Sequence, residues 1–294
     1  MLKIQRILCP TDFSEFSEKA YDYALSLARH YGAEVLLQHV VRPLTLGYPE
    51  YAIPDSVGEF YGELRGHAED QLREFAKVRS QDGPQARVIV DEGVVTECIL
   101  ALAKEQAVDL IVMGTHGRRG FERLALGSVT EKVLRKARCP VLAVRQPAHE
   151  FAVTTKGVEP VQLRRILFCS DFSECSARAF EYALSLAAEY HAELSLLHVL
   201  EHPPARANLQ AETERIRSLL EEPVTKEARN RCKIQSCVRV GKPHEEIVRV
   251  AQDTQAELVV VGVRGRNVLD LALFGSTTHR VIQLGPSPVL AVHI

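Results

Sequence analysis

The sequence predicts an α/β fold of two tandem, doubly wound parallel sheets, each with five strands and with helices on both faces. Three observations carry this. Short apolar runs alternate with longer segments of helical periodicity, the pattern of strand–helix units that build a parallel sheet. The whole series is run through twice in 294 residues, a length that suits two domains of ordinary size. Each pass also contains the same glycine spacing after its fourth apolar run.

Arg6-Ile7-Leu8-Cys9-Pro10 reads as the first strand, and Thr11-Asp12-Phe13-Ser14 as the turn after it. A helix is expected from Glu15 to Tyr31, because Ala20, Ala24, Leu27 and Ala28 recur at helical spacing and Gly32 is placed to stop it. Glu34 to Val41 is the second strand. The segment from Arg42 to Pro54, rich in Pro, Gly and Tyr, reads as a loop, and a polar helix follows over Ser56 to Arg79. Ala86 to Val90 is the third strand, and Val94 to Gln106 a helix with Ile99, Leu100 and Ala103 inward. Leu110-Ile111-Val112-Met113 is a strand buried on both faces. After the glycine turn come a helix through Arg138 and a closing strand, Val141 to Val144.

The unit then restarts. Residues 147–162 carry little apolar pattern and read as a linker between domains at 1–146 and 163–294. Between Arg6–Val41 and Arg165–Leu200 about 20 positions are identical without a gap, far beyond chance self-similarity. The match resumes from Gly93 against Gly241 to Val144 against Val292. The first half is longer by about 11 residues between these blocks, a difference that falls in the loop and helix after the second strand.

Bulk composition excludes some functions. Net charge is −2, with 25% charged and 46% hydrophobic residues, so no electrostatic footprint for nucleic acid is present. No apolar run is long enough to span a membrane, and the N-terminus leads straight into a strand without a signal-peptide core. The cytoplasm is the expected compartment. Seven scattered cysteines do not suggest a disulfide framework. Cys232 and Cys237 are close in sequence, but no second Cys or His pair completes a zinc pattern.

The repeated turn is the chemical centre. It reads Gly114-x2-Gly117-x9-Gly127-Ser128 in the first half and Gly262-x2-Gly265-x9-Gly275-Ser276 in the second. A glycine turn leading into a helix N-terminus exposes backbone N–H groups and the positive end of the helix dipole, which suits a chain of phosphates. Ser128 and Ser276 are placed to cap their helices or to offer a hydroxyl to phosphate. Ser128-Val129-Thr130-Glu131 has the form of a capping box, whereas Ser276-Thr277-Thr278-His279 lacks the acidic partner. The other reading of the same glycines is tight packing alone.

The pattern G-x2-G-x9-G-[ST] resembles the nucleotide-binding motif of the universal stress protein family. Thr11-Asp12-Phe13-Ser14-Glu15, His39-Val40 and Cys139-Pro140-Val141-Leu142-Ala143-Val144 are also similar to that family, and the resemblance covers nearly the whole chain. It implies an adenine nucleotide α-hydrolase-like sandwich that binds ATP, with or without Mg or Mn, and often dimerises. Here an intramolecular pseudo-dimer through the closing strands is expected, with a homodimer of whole chains as the further option.

By this resemblance the cofactor site in the first half comprises Pro10, Thr11, Asp12, Val40, Gly114, His116, Gly117, Gly127, Ser128, Val129 and Thr130. In the second it comprises Ser170, Asp171, Val199, Gly262, Arg264, Gly265, Gly275, Ser276, Thr277 and Thr278. Asp12 and Asp171 would accept from an adenine amino group or a ribose hydroxyl, and Val40 and Val199 would meet adenine through their backbone. From the residues alone, the alternative reading is helix caps for the aspartates and ordinary sheet core for the valines. His116 and Arg264 are either phosphate contacts or solvated loop side chains, and His39 and His198 read as structural. There is no Gly-x4-Gly-Lys-[Ser/Thr] loop, no lysine inside the glycine turn and no paired carboxylates. The expectation is an ATP-binding regulatory protein with an unidentified protein partner; the alternative is a slow ATPase or nucleotide transferase.

Overall fold

The computed structural model describes residues 2–42, 55–79, 85–116, 126–145, 153–154, 157–158, 162–263 and 275–293. The first half runs β1 (Arg6–Pro10), α1 (Glu15–Tyr31), β2 (Glu34–Val41), α2 (Asp55–Arg79), β3 (Ala86–Glu92), α3 (Val95–Glu105), β4 (Leu110–Gly114), α4 (Ser128–Lys136) and β5 (Val141–Val144). Two short strands, β6 (Val153–Thr154) and β7 (Gly157–Val158), pair with each other between the halves. The second half runs β8 (Arg165–Ser170), α5 (Glu174–Tyr190), β9 (Glu193–Leu200), α6 (Arg206–Glu221), α7 (Lys226–Arg231), β10 (Ile234–Val240), α8 (Pro243–Asp253), β11 (Leu258–Val263), α9 (Ser276–Leu284) and β12 (Val289–His293). The length difference is absorbed where the sequence put it: α2 has 25 residues, while α6 has 16 and is followed by the six-residue α7.

The helix stops follow from local chemistry. Gly32 ends α1 in the left-handed region at φ 64°, where its N–H reaches the Ala28 carbonyl. His191 takes the same role and nearly the same conformation after α5, φ 52°, without being glycine.

Within each half all strands are parallel, in the order third, second, first, fourth, fifth. The two five-stranded sheets join into one ten-stranded sheet through β5 and β12, which pair antiparallel with Leu142 opposite Leu290. The order therefore reads the same from either outer edge, as a twofold relation between the halves requires. Because the sheet has helices on both faces, it carries two apolar layers. One packs α1, α2, α5 and α6 against it, the other α3, α4, α8 and α9, and both layers cross the seam. Polar contacts also cross. His293 Nε2 donates to the Leu134 carbonyl at 2.5 Å, Arg145 Nη1 donates to the Gln283 carbonyl, and His30 Nε2 donates to Glu189 Oε1 at 2.7 Å.

Candidate functional site

In both halves the site lies at the carboxyl ends of three adjacent strands. β1 is flanked by β2 and β4, so the strand order reverses between β1 and β4. Chains leaving such neighbours diverge to opposite faces and open a crevice, the usual ligand position in an open parallel sheet. Asp12 follows β1, Val40 lies near the end of β2, and Gly114 ends β4. β8, β9 and β11 bring Asp171, Val199 and Gly262 together in the same way.

The turn after β1 is tightly built. Phe13 sits at φ 61° and Phe172 at φ 60°, a region that bulky residues rarely adopt. Each ring lies against a histidine: Phe13 to His39 at 4.6 Å and Phe172 to His198 at 4.7 Å between centroids. His39 Nδ1 donates to the Thr11 carbonyl and His198 Nδ1 to the Ser170 carbonyl, both at 2.8 Å. The histidines thus clamp the end of the second strand to the turn, which is the structural role read from the sequence. The strained phenylalanines were not singled out there; the repeated Asp-Phe-Ser was the available signal.

The aspartates are not helix caps. Ser14 caps α1 and Ser173 caps α5, each accepting from the N–H three residues on. Asp12 Oδ1 accepts from Ser14 N at 3.2 Å and Ser14 Oγ at 2.6 Å, and so orients the cap from two residues upstream. Asp171 Oδ1 does the same for Ser173 and also takes the Ser176 hydroxyl at 2.5 Å.

The first and last motif glycines have separate roles. A Cβ on Gly114 would lie 2.8 Å from the Phe16 backbone, and one on Gly262 would lie 2.4 Å from the Cys175 backbone. These two let the first helix approach the fourth strand, so tight packing accounts for them. Gly117, Gly265 and Arg264 lie outside the described residues. Gly127 and Gly275 are the N-caps of α4 and α9, at φ −60° and −47°, and neither helix has a side-chain cap. This corrects the expected capping box. Ser128 and Ser276 are the first helical residues, one position too late to cap, and Glu131 falls beyond the position a box requires.

The remaining residues divide by burial. Ser128 and Ser276 are exposed, and Val129 and Thr277 half-buried. Thr130 and Thr278 are buried, and Thr130 Oγ1 donates to the Gly114 carbonyl at 2.7 Å, fastening α4 to the end of β4. His116 is 6% exposed, with its ring 4.9 Å from Phe16 and Nδ1 2.9 Å from Thr115 Oγ1. It is therefore not the solvated loop side chain considered from the sequence. Pro10 and Ser170 are half-buried, Thr11 and Val40 buried, and Val199 packs partly against the core.

The cysteines are free thiols, and Cys232 Sγ bonds to its own helix at the Ala228 carbonyl. Burial pushes the Cys139 thiol up to about 12. Among the described residues no three His, Cys, Asp or Glu side chains gather as a metal site, and no helix is long and apolar enough to cross a membrane.

The profile of the Universal stress protein family matches the chain twice, over residues 3–145 and 162–293. The chain belongs to the universal stress protein family. A family protein of Mycolicibacterium smegmatis is similar over its full length, 27% identical across 97% of this chain and 96% of that one. Universal stress protein MJ0531 of Methanocaldococcus jannaschii is 35% identical over 148 residues, half of this chain and 85% of its own. A universal stress protein crystal structure from Archaeoglobus fulgidus superposes with a TM-score of 0.68 at 24% identity, covering 99% of each chain. The tandem arrangement and the adenine nucleotide α-hydrolase-like fold are thereby those of this family.

Proposed function

We propose that each half binds an adenine nucleotide, ATP in the first instance, and that the chain acts as a regulatory binding protein rather than through turnover. The observation that carries this is the pair of glycine N-caps. Both α4 and α9 start at a glycine without a side-chain cap; α3, α6 and α8 also lack one but start at Val94, Ala205 and Lys242, and serine caps α1 and α5. At Gly275 φ is negative, and among the described residues a Cβ would meet only Thr278 Oγ1, at 3.8 Å. An uncapped N-terminus with room at its first residue suits phosphate oxygens, which take up the unpaired N–H groups and the dipole.

In this reading the phosphates lie over Gly127-Ser128-Val129, with the exposed Ser128 hydroxyl as a further donor. Asp12 accepts from a ribose hydroxyl or the adenine amino group across the crevice. Mg or Mn bound with the nucleotide would neutralise its phosphates, held by the phosphates themselves, since among the described residues no carboxylate cluster gathers to hold it. The reading keeps one site per domain, with the domains taken at 1–146 and 163–294.

Replacing the cap glycine by aspartate tests the reading. Gly275→Asp sets a carboxylate against phosphate, so ATP binding at that site falls at least about tenfold, or about 1.4 kcal/mol, by calorimetry. Unchanged affinity in a folded protein refutes the phosphate role. Steady-state phosphate release well above background would favour the slow ATPase instead.

A further inference from the structure

In the first half three rings pack in a row on the α1–α2 face. Phe13 meets Phe75 edge-on at 5.6 Å, and Phe75 stacks on Tyr21 at 5.5 Å. The second half keeps two of the three positions, Phe172 for Phe13 and Phe180 for Tyr21. The offset that pairs Gly93 with Gly241 is 241 − 93 = 148, and it also pairs Leu72 with Leu220 and Phe75 with Pro223. Leu72 and Leu220 are both buried, so the register holds inside the helices. Pro223 cannot replace the missing ring. Its side chain is small, and α6 has ended at Glu221, whereas α2 continues to Arg79.

The vacated space is a cavity of about 460 Å³, lined by Phe172, Phe180, Leu220 and Pro223. Its volume lies in the range of small-molecule sites. Phe172 is 45% exposed, unusual for a large aromatic side chain and open to a stacking partner. The polar part of the lining is biased toward acceptors. Ser173 and Ser176 direct their hydroxyl protons to Asp171 Oδ1 and each already accepts a backbone N–H, so neither offers the cavity a donor, whereas Glu181 adds a carboxylate. Among the described residues no Lys or Arg lines it.

We propose that this cavity binds a small aromatic amine. The ring lies between Phe172 and Phe180, where the Phe75 ring lies in the first half, and the amine faces the Glu181 carboxylate. The cavity belongs to the α5–α6 face, while the glycine-capped α9 packs on the other, and of the proposed nucleotide residues only Ser170 lines it. The absence of basic residues disfavours a phosphate there.

Calorimetric titration of the full chain with phenethylamine tests this, with cyclohexylethylamine and phenylacetate as comparators. Phenethylamine gives one saturable event, and each comparator binds at least about tenfold more weakly. Ala177 is exposed on α5 and lines the cavity, so Ala177→Phe places a ring in the space without disturbing the core. Ala177→Phe weakens phenethylamine at least about tenfold at an unchanged melting temperature. Saturating ATP leaves the wild-type affinity unchanged. No saturable binding, equal binding by Ala177→Phe or by phenylacetate, or displacement by ATP would each overturn the proposal.

Discussion

The turn after β1 and the turn after β8 share Asp-Phe-Ser-Glu and a serine three residues after the capping one, yet they wire these residues differently. Ser17 Oγ lies 2.9 Å from Thr11 Oγ1 and bonds to the Ser14 carbonyl. Its counterpart Ser176 accepts from Asp171 N at 3.2 Å and donates to Asp171 Oδ1 at 2.5 Å. Below the same turns, Phe16 supports the buried ring of His116, while Cys175 has no ring to offer. At the seam Arg145 and His293 occupy equivalent places and each reaches a carbonyl on the other half's helix. The repeated backbone frame tolerates different side-chain networks, because strand pairing and helix position depend on apolar faces and close glycine contacts. Differences between the halves should therefore show in ligand affinity and pH response more than in fold.

The largest expected effect tests whether the halves share one core. Leu142 and Leu290 face each other at the seam, 2% and 6% exposed. Leu142→Asp and Leu290→Asp each bury an unpaired carboxylate there and should cost more than about 3 kcal/mol in urea unfolding. A single shifted transition is expected from either; two separate transitions would break the picture of a continuous core. Next come the packing glycines. Gly114→Ala and Gly262→Ala should each destabilise by about 1–3 kcal/mol through overpacking. Gly262→Ala is the worse, since its Cβ would approach backbone at 2.4 Å against 2.8 Å. Comparison of their melting temperatures checks the order.

A smaller effect separates the proposed nucleotide sites. The first motif carries Arg118, Arg119, Arg123 and Glu122 between its last two glycines, the second only Arg266 and Asp270. Asp171 is also held by a third serine donor. The first site should be the tighter by about 1 kcal/mol or less, as exposed charges are screened. In calorimetry Gly127→Asp then removes the tighter event and Gly275→Asp the weaker. Because a Cβ on Gly127 already sits 3.1 Å from the Thr115 carbonyl, the melting curve of Gly127→Asp must accompany its titration.

The smallest effect is a pH response confined to one side of the seam. Burial lowers the pKa of His293, which stays neutral and donates from Nε2. With a folded pKa below the unfolded one, its contribution is fully present above the unfolded value, about 6.5. It is lost as pH falls through that value toward the folded pKa. Wild-type stability should thus fall more steeply on acidification than that of His293→Gln, as measured by urea unfolding across this interval.

The sequence by itself determined the tandem repeat, the strand and helix series, the parallel order and the edge on which Asp12, Val40 and Gly114 meet. Apolar periodicity and glycine spacing are local signals, and a parallel sheet leaves little freedom in which strand ends converge. Helix starts were read less well. Ser128 looked like a cap because cap and first-turn residues share a composition, and only the backbone conformation of Gly127 distinguishes them. The roles of the first and last motif glycines were equally hidden, since whether glycine serves a ligand or a neighbour depends on which atoms stand within contact distance. Phe16, Phe75 and Pro223 gave no signal in the sequence: each acquires its meaning from a residue on another element. Packing across the sheet, rather than any local pattern, decided which glycines are occupied by the fold and where the second half leaves a cavity that the first half fills.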